Sequence, residues 1–254
     1  MQRNHAGVSY ADLKSRVVLV TGGSSGIGAE IVRAFAAQKS VVHFLDLDTD
    51  AGETVAAETG AAFHACDLTD IDALRDRVAG IEQAAGPVGV LVNNAGRDDR
   101  HDLDEVSPDA WRRALAVNLD HQFFATQAVR RGMASAGGGS VVMLGSVSWM
   151  RGRPNMVGYT TAKAAINGLT RTLARELGPE GIRVNCIVPG AIRTERQQKL
   201  WVSPERENEF LALQALKFRL EPVDVAPMAL FLGSDQSRAC TGANFMVDGG
   251  LTQN

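Results

Sequence analysis

A phenol and an ammonium stand one helical turn apart in the run Tyr159-Thr160-Thr161-Ala162-Lys163. At i and i+4 both side chains share one helical face, so the ammonium can lie below the phenol, stabilise phenolate and move a group that normally titrates near 10 towards neutral pH. Such a pair can act as a general acid and base, although the same spacing also suits an ordinary solvated helix face. Ser146 comes thirteen residues earlier, just past an apolar run, where its hydroxyl could bind a substrate oxygen. A second constellation opens the chain: Thr21-Gly22-Gly23-Ser24-Ser25-Gly26-Ile27-Gly28 follows the first apolar run directly. Without Cβ atoms at Gly22, Gly26 and Gly28 the backbone can turn tightly, and the amides through Ser25 and Ile27 can approach a pyrophosphate at a helix N-terminus. A tight strand-to-helix turn alone would need similar glycines. Asp46 closes the next apolar run, about where an acidic residue holds the ribose hydroxyls of a dinucleotide. Its carboxylate would repel a 2′-phosphate, and neither Ser25 nor Leu47 supplies a cation, so NAD is expected over NADP. The alternative is a solvated aspartate in the acidic cluster 46–50.

These groups need a scaffold that holds loop residues at one edge. Short apolar runs at 16–20 (RVVLV), 41–45 (VVHFL), 61–65 (AAFHA), 88–92 (VGVLV), 140–144 (SVVML), 183–188 (RVNCIV) and 244–247 (NFMV) each read as a strand buried on both faces. Between them lie segments with helical spacing, such as Ile27, Ile31 and Phe35, or Leu169, Leu173 and Leu177. Asp70 and Asp72 open one helix that closes at Gly86-Pro87, and Gly178-Pro179 ends another. Strand and helix alternate to the end, which predicts one α/β domain over 13–254. It is a doubly wound, mostly parallel sheet of about seven strands with helices on both faces. Residues 192–218 have no strand of their own, are polar and helical in tone, and contain Trp201 and Pro204. Such an excursion after a strand's carboxyl end is a candidate substrate lid.

Composition narrows the function. The 254 residues are 45% hydrophobic and 22% charged, with a net charge of −3, which argues against a nucleic-acid binder. Apolar runs are far shorter than the roughly 20 residues of a membrane span. Cys66, Cys186 and Cys240 are widely separated among apolar neighbours and read as reduced core thiols of a cytoplasmic protein, with no metal site. Residues 1–12 are polar and read as a short mobile arm.

Taken together the chain resembles the short-chain dehydrogenases/reductases from about Leu13 to Gly250. The resemblance rests on TGGSSGIG at 21–28, Asp67 in CDL, Asn93-Asn94-Ala95-Gly96, Asn118 in VNL, Ser146, the Tyr159/Lys163 pair, Pro189-Gly190 with Thr194, and Val247-Asp248-Gly249-Gly250. It implies a Rossmann-type fold and a homotetramer built on the helices around 110–130 and 160–177. It also implies roles: Tyr159 as acid/base, Lys163 on the nicotinamide ribose, Ser146 orienting the reacting oxygen, and Asn118 holding a water in a proton relay. Asp67 and Leu68 would flank the adenine and Asn94 would lie along the cofactor beside Ala95 and Gly96. Ile192 and Thr194, after Pro189, would bind the carboxamide and phosphate side. One departure is the Gln38-Lys39-Ser40 turn, where the family usually has glycine; only a changed turn is expected there.

The substrate side is similar to the bacterial sugar-dehydrogenase branch, of the D-xylose type that oxidises the anomeric carbon with NAD. Ser148, Trp149, Asn155 and Gln197 are candidate sugar contacts, with ring faces stacking on aromatics and hydroxyls taking hydrogen bonds. Arg151 and Arg153, with Arg193 and Arg196 on the excursion, could instead converge on a carboxylate, which would make the substrate a 2-keto-3-deoxy sugar acid. Two other classes stay open: an NADPH-dependent 3-oxoacyl-carrier-protein reductase, which should carry a basic docking face, and a non-catalytic NAD-sensing module.

Overall fold

The computed structural model describes residues 8–201 and 204–252, and the side chains of all of these except 199–201 and 204–206. Residues 1–7 of the expected arm and the side chain of Trp201 lie outside the described residues. Seven parallel strands form one sheet: β1 (Val17–Thr21), β2 (Val41–Asp46), β3 (Ala62–Ala65), β4 (Val90–Asn93), β5 (Gly139–Leu144), β6 (Ile182–Pro189) and β7 (Asn244–Val247), in the order β3-β2-β1-β4-β5-β6-β7. The order reverses between β1 and β4, and ligands bind at such a switch point beyond the carboxyl ends of the strands. Among the described residues, nine α-helices accompany the sheet: α1 (Gly26–Ala37), α2 (Thr49–Thr59), α3 (Ile71–Ala85), α4 (Pro108–Leu115), α5 (His121–Ser135), α6 (Val157–Leu177), α7 (Glu195–Trp201), α8 (Pro204–Leu213) and α9 (Pro222–Gly233).

Alternate strand residues feed two cores. Val18, Val20, Val92 and Val142 pack with Ile31 and Phe35 of α1 and Val225 and Leu232 of α9. Leu19, Leu91, Val141 and Met143 face Leu74 of α3, Val129 and Met133 of α5, and Ile166 and Leu173 of α6. Each large side chain so buried contributes about 1.5–3 kcal/mol, which makes the central strands a rigid base for the loops at their ends. The outer strands depart from the sequence expectation. β3 is half-buried with Ala65 exposed, and β7 begins on the exposed Asn244, because each is a sheet edge covered only in part by helices.

The expected arm is docked from residue 8. Gln38 donates to the carbonyl of Val8 and accepts from the Tyr10 amide at 2.8 Å, and the Ser40 hydroxyl donates to the Leu13 carbonyl. Lys39 takes the left-handed conformation (φ 63°) that glycine adopts more easily. The Gln38-Lys39-Ser40 departure is thus more than a changed turn: it trades backbone ease for side chains that hold the N-terminal segment.

The segment expected as one long helix around 110–130 carries a π turn, Ala116–Asp120, between α4 and α5. Such turns mark functional sites, and this one holds Asn118. Cys66 and Cys186 are buried free thiols, whereas Cys240 is only half-buried.

Candidate active site

The carboxyl ends of β1, β4, β5 and β6 bring the sequence candidates to one edge. After β1 the glycine turn is shaped by contacts that exclude any side chain. A Cβ on Gly22 (φ +68°) would stand 2.7 Å from Ala95 Cα, and one on Gly28 would stand 1.9 Å from the Gly22 carbonyl oxygen. Ser25 ends the turn as the N-cap of α1 with its side chain making no cap bond, so the first α1 amides face the cleft. Gly26 (φ +54°) lies under Thr194, whose methyl carbon is 3.2 Å from the Cβ position. This cradle fits a dinucleotide pyrophosphate in size and polarity. The buried Ser24 hydroxyl has no partner among the described residues, and the sequence reading passed over it.

Asn94 stitches the turn: its side-chain amide donates to the carbonyls of Thr21 and Gly22 at 3.1 and 2.8 Å. Thr21, fully buried, receives the amides of Asn94 and Ala95 on its hydroxyl. Asp46 closes β2 with one carboxylate oxygen on the Ser24 amide (2.9 Å) and the other on the amides of Leu47 and Asp48. The anion is therefore fixed beside the turn, with exposed Leu47 next to it. Asp67 accepts from Thr69, and Asp70, not Asp67, caps α3. Leu68 beside it is buried.

The reacting groups assemble from β5, α6 and the π turn. Gly158 makes this possible, because a Cβ there would lie 2.7 Å from Ala114 Cβ and push the first turn of α6 off α4. Tyr159 and Lys163 follow on one face, with Nζ 5.6 Å from the phenol ring centroid. Lys163 is buried and donates to the Leu144 carbonyl at 2.8 Å. Ser146, two residues beyond β5, hydrogen-bonds the Tyr159 phenol through its hydroxyl. Gly96 lies over the pair: its Cβ position is 2.9 Å from Asn118 Oδ1 and 3.3 Å from Lys163 Nζ.

Two expectations change here. Burial pushes the Tyr159 phenol up to about 12 and outweighs the Ser146 hydrogen bond and the Arg100 charge; Asp98 adds to the rise. Burial also pulls Lys163 down to about 8. The pair by itself therefore does not lower the phenol, because the ammonium lies under the ring and is bonded to Leu144. Asn118 is buried with its whole side chain engaged: Oδ1 accepts from the Arg97 amide, and Nδ2 donates to the carbonyls of Arg97 and Ala114. Its main-chain carbonyl accepts from Gln122 Nε2 at 3.4 Å and keeps a second lone pair that a water can use.

The arginines at the mouth do not converge on an open site. Arg151 and Arg153 both approach Glu209 at 3.8 Å and flank the Phe210 ring. Arg193 pairs with Glu221, and Arg196 with Asp98 and Asp99 at 3.5 and 2.7 Å. Arg151 and Arg153 share Glu209, Arg193 has Glu221 and Arg196 has Asp98 and Asp99, which corrects the expectation of a free cationic cluster. Asn155, in a left-handed turn (φ 62°), faces Asp102 and is exposed, and Gln197 accepts from Arg219. Ser148 and Trp149, in contrast, flank Ser146 with a hydroxyl and an indole N–H that are buried and without a partner among the described residues. Pro189 and Ile192 are buried where β6 leaves the sheet, and Thr194 follows over the glycine turn. Phe210, packed against Arg151, Arg153 and Arg219, has no signal in the sequence beyond its position within the excursion.

A crystal structure of a putative short-chain alcohol dehydrogenase from Sinorhizobium meliloti matches this fold with a TM-score of 0.90 at 31% identity, over 96% of this chain and 99% of that one. A family model described as Enoyl-(Acyl carrier protein) reductase matches residues 22–252. A D-xylose 1-dehydrogenase of Caulobacter vibrioides is 46% identical over 246 residues, covering 95% of this chain and 97% of the relative. The chain belongs to the short-chain dehydrogenase/reductase family. A probable galactose dehydrogenase of Rhizobium meliloti is 45% identical over 248 residues, again covering 95% and 97%. As a member of this family the protein is an oxidoreductase acting on CH–OH groups with a nicotinamide cofactor. No helix among the described residues is long and apolar enough to cross a membrane.

Proposed function

We propose that the protein is an NAD-dependent dehydrogenase that oxidises the anomeric hydroxyl of a neutral aldose. One observation carries the choice of a neutral substrate. Every mouth arginine considered as a carboxylate clamp is matched by an acidic side chain, while Ser148 and Trp149 present buried polar atoms without protein partners beside Ser146. Unpaired buried donors and acceptors are costly, about 1–3 kcal/mol each, so a hydroxylated ligand that satisfies them gains affinity and orientation. A sugar acid would first have to displace Glu209, Glu221 or the Asp98/Asp99 pair. The names of the relatives, a D-xylose and a galactose dehydrogenase, agree with a neutral sugar.

The cofactor preference rests on Asp46. Its carboxylate is held by three amides at the end of β2, where ribose hydroxyls can donate to it and a 2′-phosphate would meet a fixed negative charge. The turn through Gly22, Ser25, Gly26, Ile27 and Gly28 would hold the pyrophosphate. Asp67 and Leu68 would border the adenine, and Ala95, Gly96, Ile192 and Thr194 the nicotinamide half. When bound, the nicotinamide supplies the carbon that accepts the hydride. The protein's own groups do the rest. Ser146 donates to the substrate oxygen and fixes its direction. Tyr159 as phenolate takes the hydroxyl proton. Lys163 would hold the nicotinamide ribose, and the Asn118 main-chain carbonyl would hold a water through which the proton leaves. Because burial raises the phenol to about 12, the phenolate fraction, and with it the rate of oxidation, should keep rising with pH towards that value. A homotetramer belongs to the same reading, with α4, which fully buries none of its residues within one chain, contributing to an interface. So does a cytoplasmic location, which the free thiols suit.

The test is NADH formation on D-xylose and D-galactose against D-xylonate and a 2-keto-3-deoxy sugar acid, with NAD and with NADP. The expected result is a kcat/KM at least roughly tenfold higher for a neutral aldose and for NAD. Faster turnover of the acids overturns the neutral-substrate reading.

A further inference from the structure

The terminal Asp248-Gly249-Gly250 segment has no part in the chemistry above, yet its geometry is tightly specified. Gly249 and Gly250 are both left-handed, at φ +63° and +78°. A Cβ on Gly250 would stand 2.6 Å from Ala215 Cβ, and one on Gly249 would stand 2.9 Å from Gln214 Nε2. The buried Asp248 side chain accepts from the Gly250 amide and from the amide and hydroxyl of Thr252, all within 2.7–2.9 Å. On the other side of this turn lies the exit of the excursion. The Leu216 amide donates to the Gly249 carbonyl at 2.9 Å. Gln214, 1% exposed, donates through Nε2 to the carbonyls of Leu216 and Phe218 at 3.1 and 2.9 Å. Its own amide closes onto the Phe210 carbonyl at 2.9 Å.

Phe210 of the excursion is buried under Arg219, Arg153 and Arg151, which lie 4.8, 5.4 and 6.0 Å from its ring. Arg151 and Arg153 belong to the loop between Ser146 and Tyr159. A chain of contacts therefore runs from the C-terminal turn through Gln214 to Phe210 and on to the wall above the reacting groups. The Ile192–Leu220 bridge also joins the entry of the excursion to the residues just past its exit, and Thr194 lies over Gly26.

We propose that Asp248-Gly249-Gly250 anchors the substrate-side wall, and that Gln214 is a positioning residue setting affinity for the sugar and not for the cofactor. The inference rests on the dehydrogenase reading above. Gln214 touches neither substrate nor cofactor; it acts through Phe210. Removing the amide takes away its hydrogen bonds to the Leu216 and Phe218 carbonyls, and the exit of the excursion relaxes away from the C-terminal turn.

The test is Gln214→Met, which keeps the volume and removes the amide. Steady-state rates with D-xylose, or D-galactose where faster, should show the sugar KM raised by about tenfold with kcat within about threefold of the parent. NADH affinity by fluorescence titration should stay within about twofold. Cleavage by a nonspecific protease between residues 207 and 219 should accelerate over cleavage elsewhere. Equal weakening of sugar and NADH, or an unchanged sugar KM in a folded variant, overturns the proposal. Should Gln214→Met fail to fold, Thr252→Val removes one bond to Asp248 and should give the same split at about threefold. If the parent protein oxidises no aldose, the substrate reading has failed and the anchor is decided by proteolysis alone: faster cleavage in the variant supports it, unchanged cleavage overturns it.

Discussion

The glycine turn and the excursion after β6 face the same cleft but are built by different means. At the turn, backbone meets backbone: Gly22 against Ala95, Gly28 against the Gly22 carbonyl, and amides on the fixed Asp46 carboxylate. At the excursion, side chains meet side chains: Glu209 with Arg151 and Arg153, Arg196 with Asp98 and Asp99, and arginines around Phe210. Backbone contacts tolerate no added atom, whereas partly exposed ion pairs contribute about 0–1 kcal/mol each and can be exchanged singly. A cleft built this way keeps one cofactor while its substrate wall remains open to change.

That contrast sets the order of expected effects. Tyr159→Phe serves both halves, since it removes the proton acceptor without touching either wall. Turnover should fall by about 10²–10⁴-fold with NADH affinity retained, as read by rates and fluorescence titration. A rate near that of the parent would remove Tyr159 from the chemistry. Gly28→Ala should follow. Alanine in a helix normally gains about 0.5–1 kcal/mol over glycine, but here the added carbon meets a carbonyl at 1.9 Å. NADH affinity should drop by about a hundredfold, and a variant binding NADH normally would show that the turn is less rigid than its contacts.

Acid stability probes the base under the reacting groups. Burial, aided by the Lys163 charge, holds the His121 imidazole down at about 3. The unfolded ring takes a proton below about 6.5 while the folded one stays neutral. Stability that is fully present above that pH is therefore lost as pH falls towards 3, by up to about 1.4 kcal/mol per unit. His121→Gln should flatten this loss in urea titrations at pH 7 and pH 5, and an unchanged slope would assign the acid sensitivity elsewhere. The smallest effect belongs to the excursion. Glu209→Gln should raise the sugar KM by only about two- to fivefold, more at low salt, with melting temperature nearly unchanged. A loss as large as that of Gly28→Ala would erase the distinction between the two walls.

The same contrast explains what could be read from the sequence. The seven apolar runs, the caps at Asp70 and Gly86 and the glycine turn were legible because they answer to backbone geometry. Asp46, Ser146, Tyr159 and Lys163 were legible through their position after predicted strands or on one helical face. The π turn at Asn118 was not, since nothing in Ala116–Asp120 distinguishes it from helix until α4 and α6 press together at Gly158. The rise of the Tyr159 phenol depends on burial that spacing alone does not report. The arginines were legible as charges but not as pairs: Glu209 and Glu221 lie far along the chain from Arg151 and Arg193, and only the fold brings each to its partner.

The central claim, that these residues direct oxidation of a sugar at its anomeric carbon, is tested most directly with D-xylose deuterated at that carbon. After turnover with NAD, mass spectrometry should find the NADH one mass unit heavier than that formed from unlabelled sugar. NADH without the label would contradict the account.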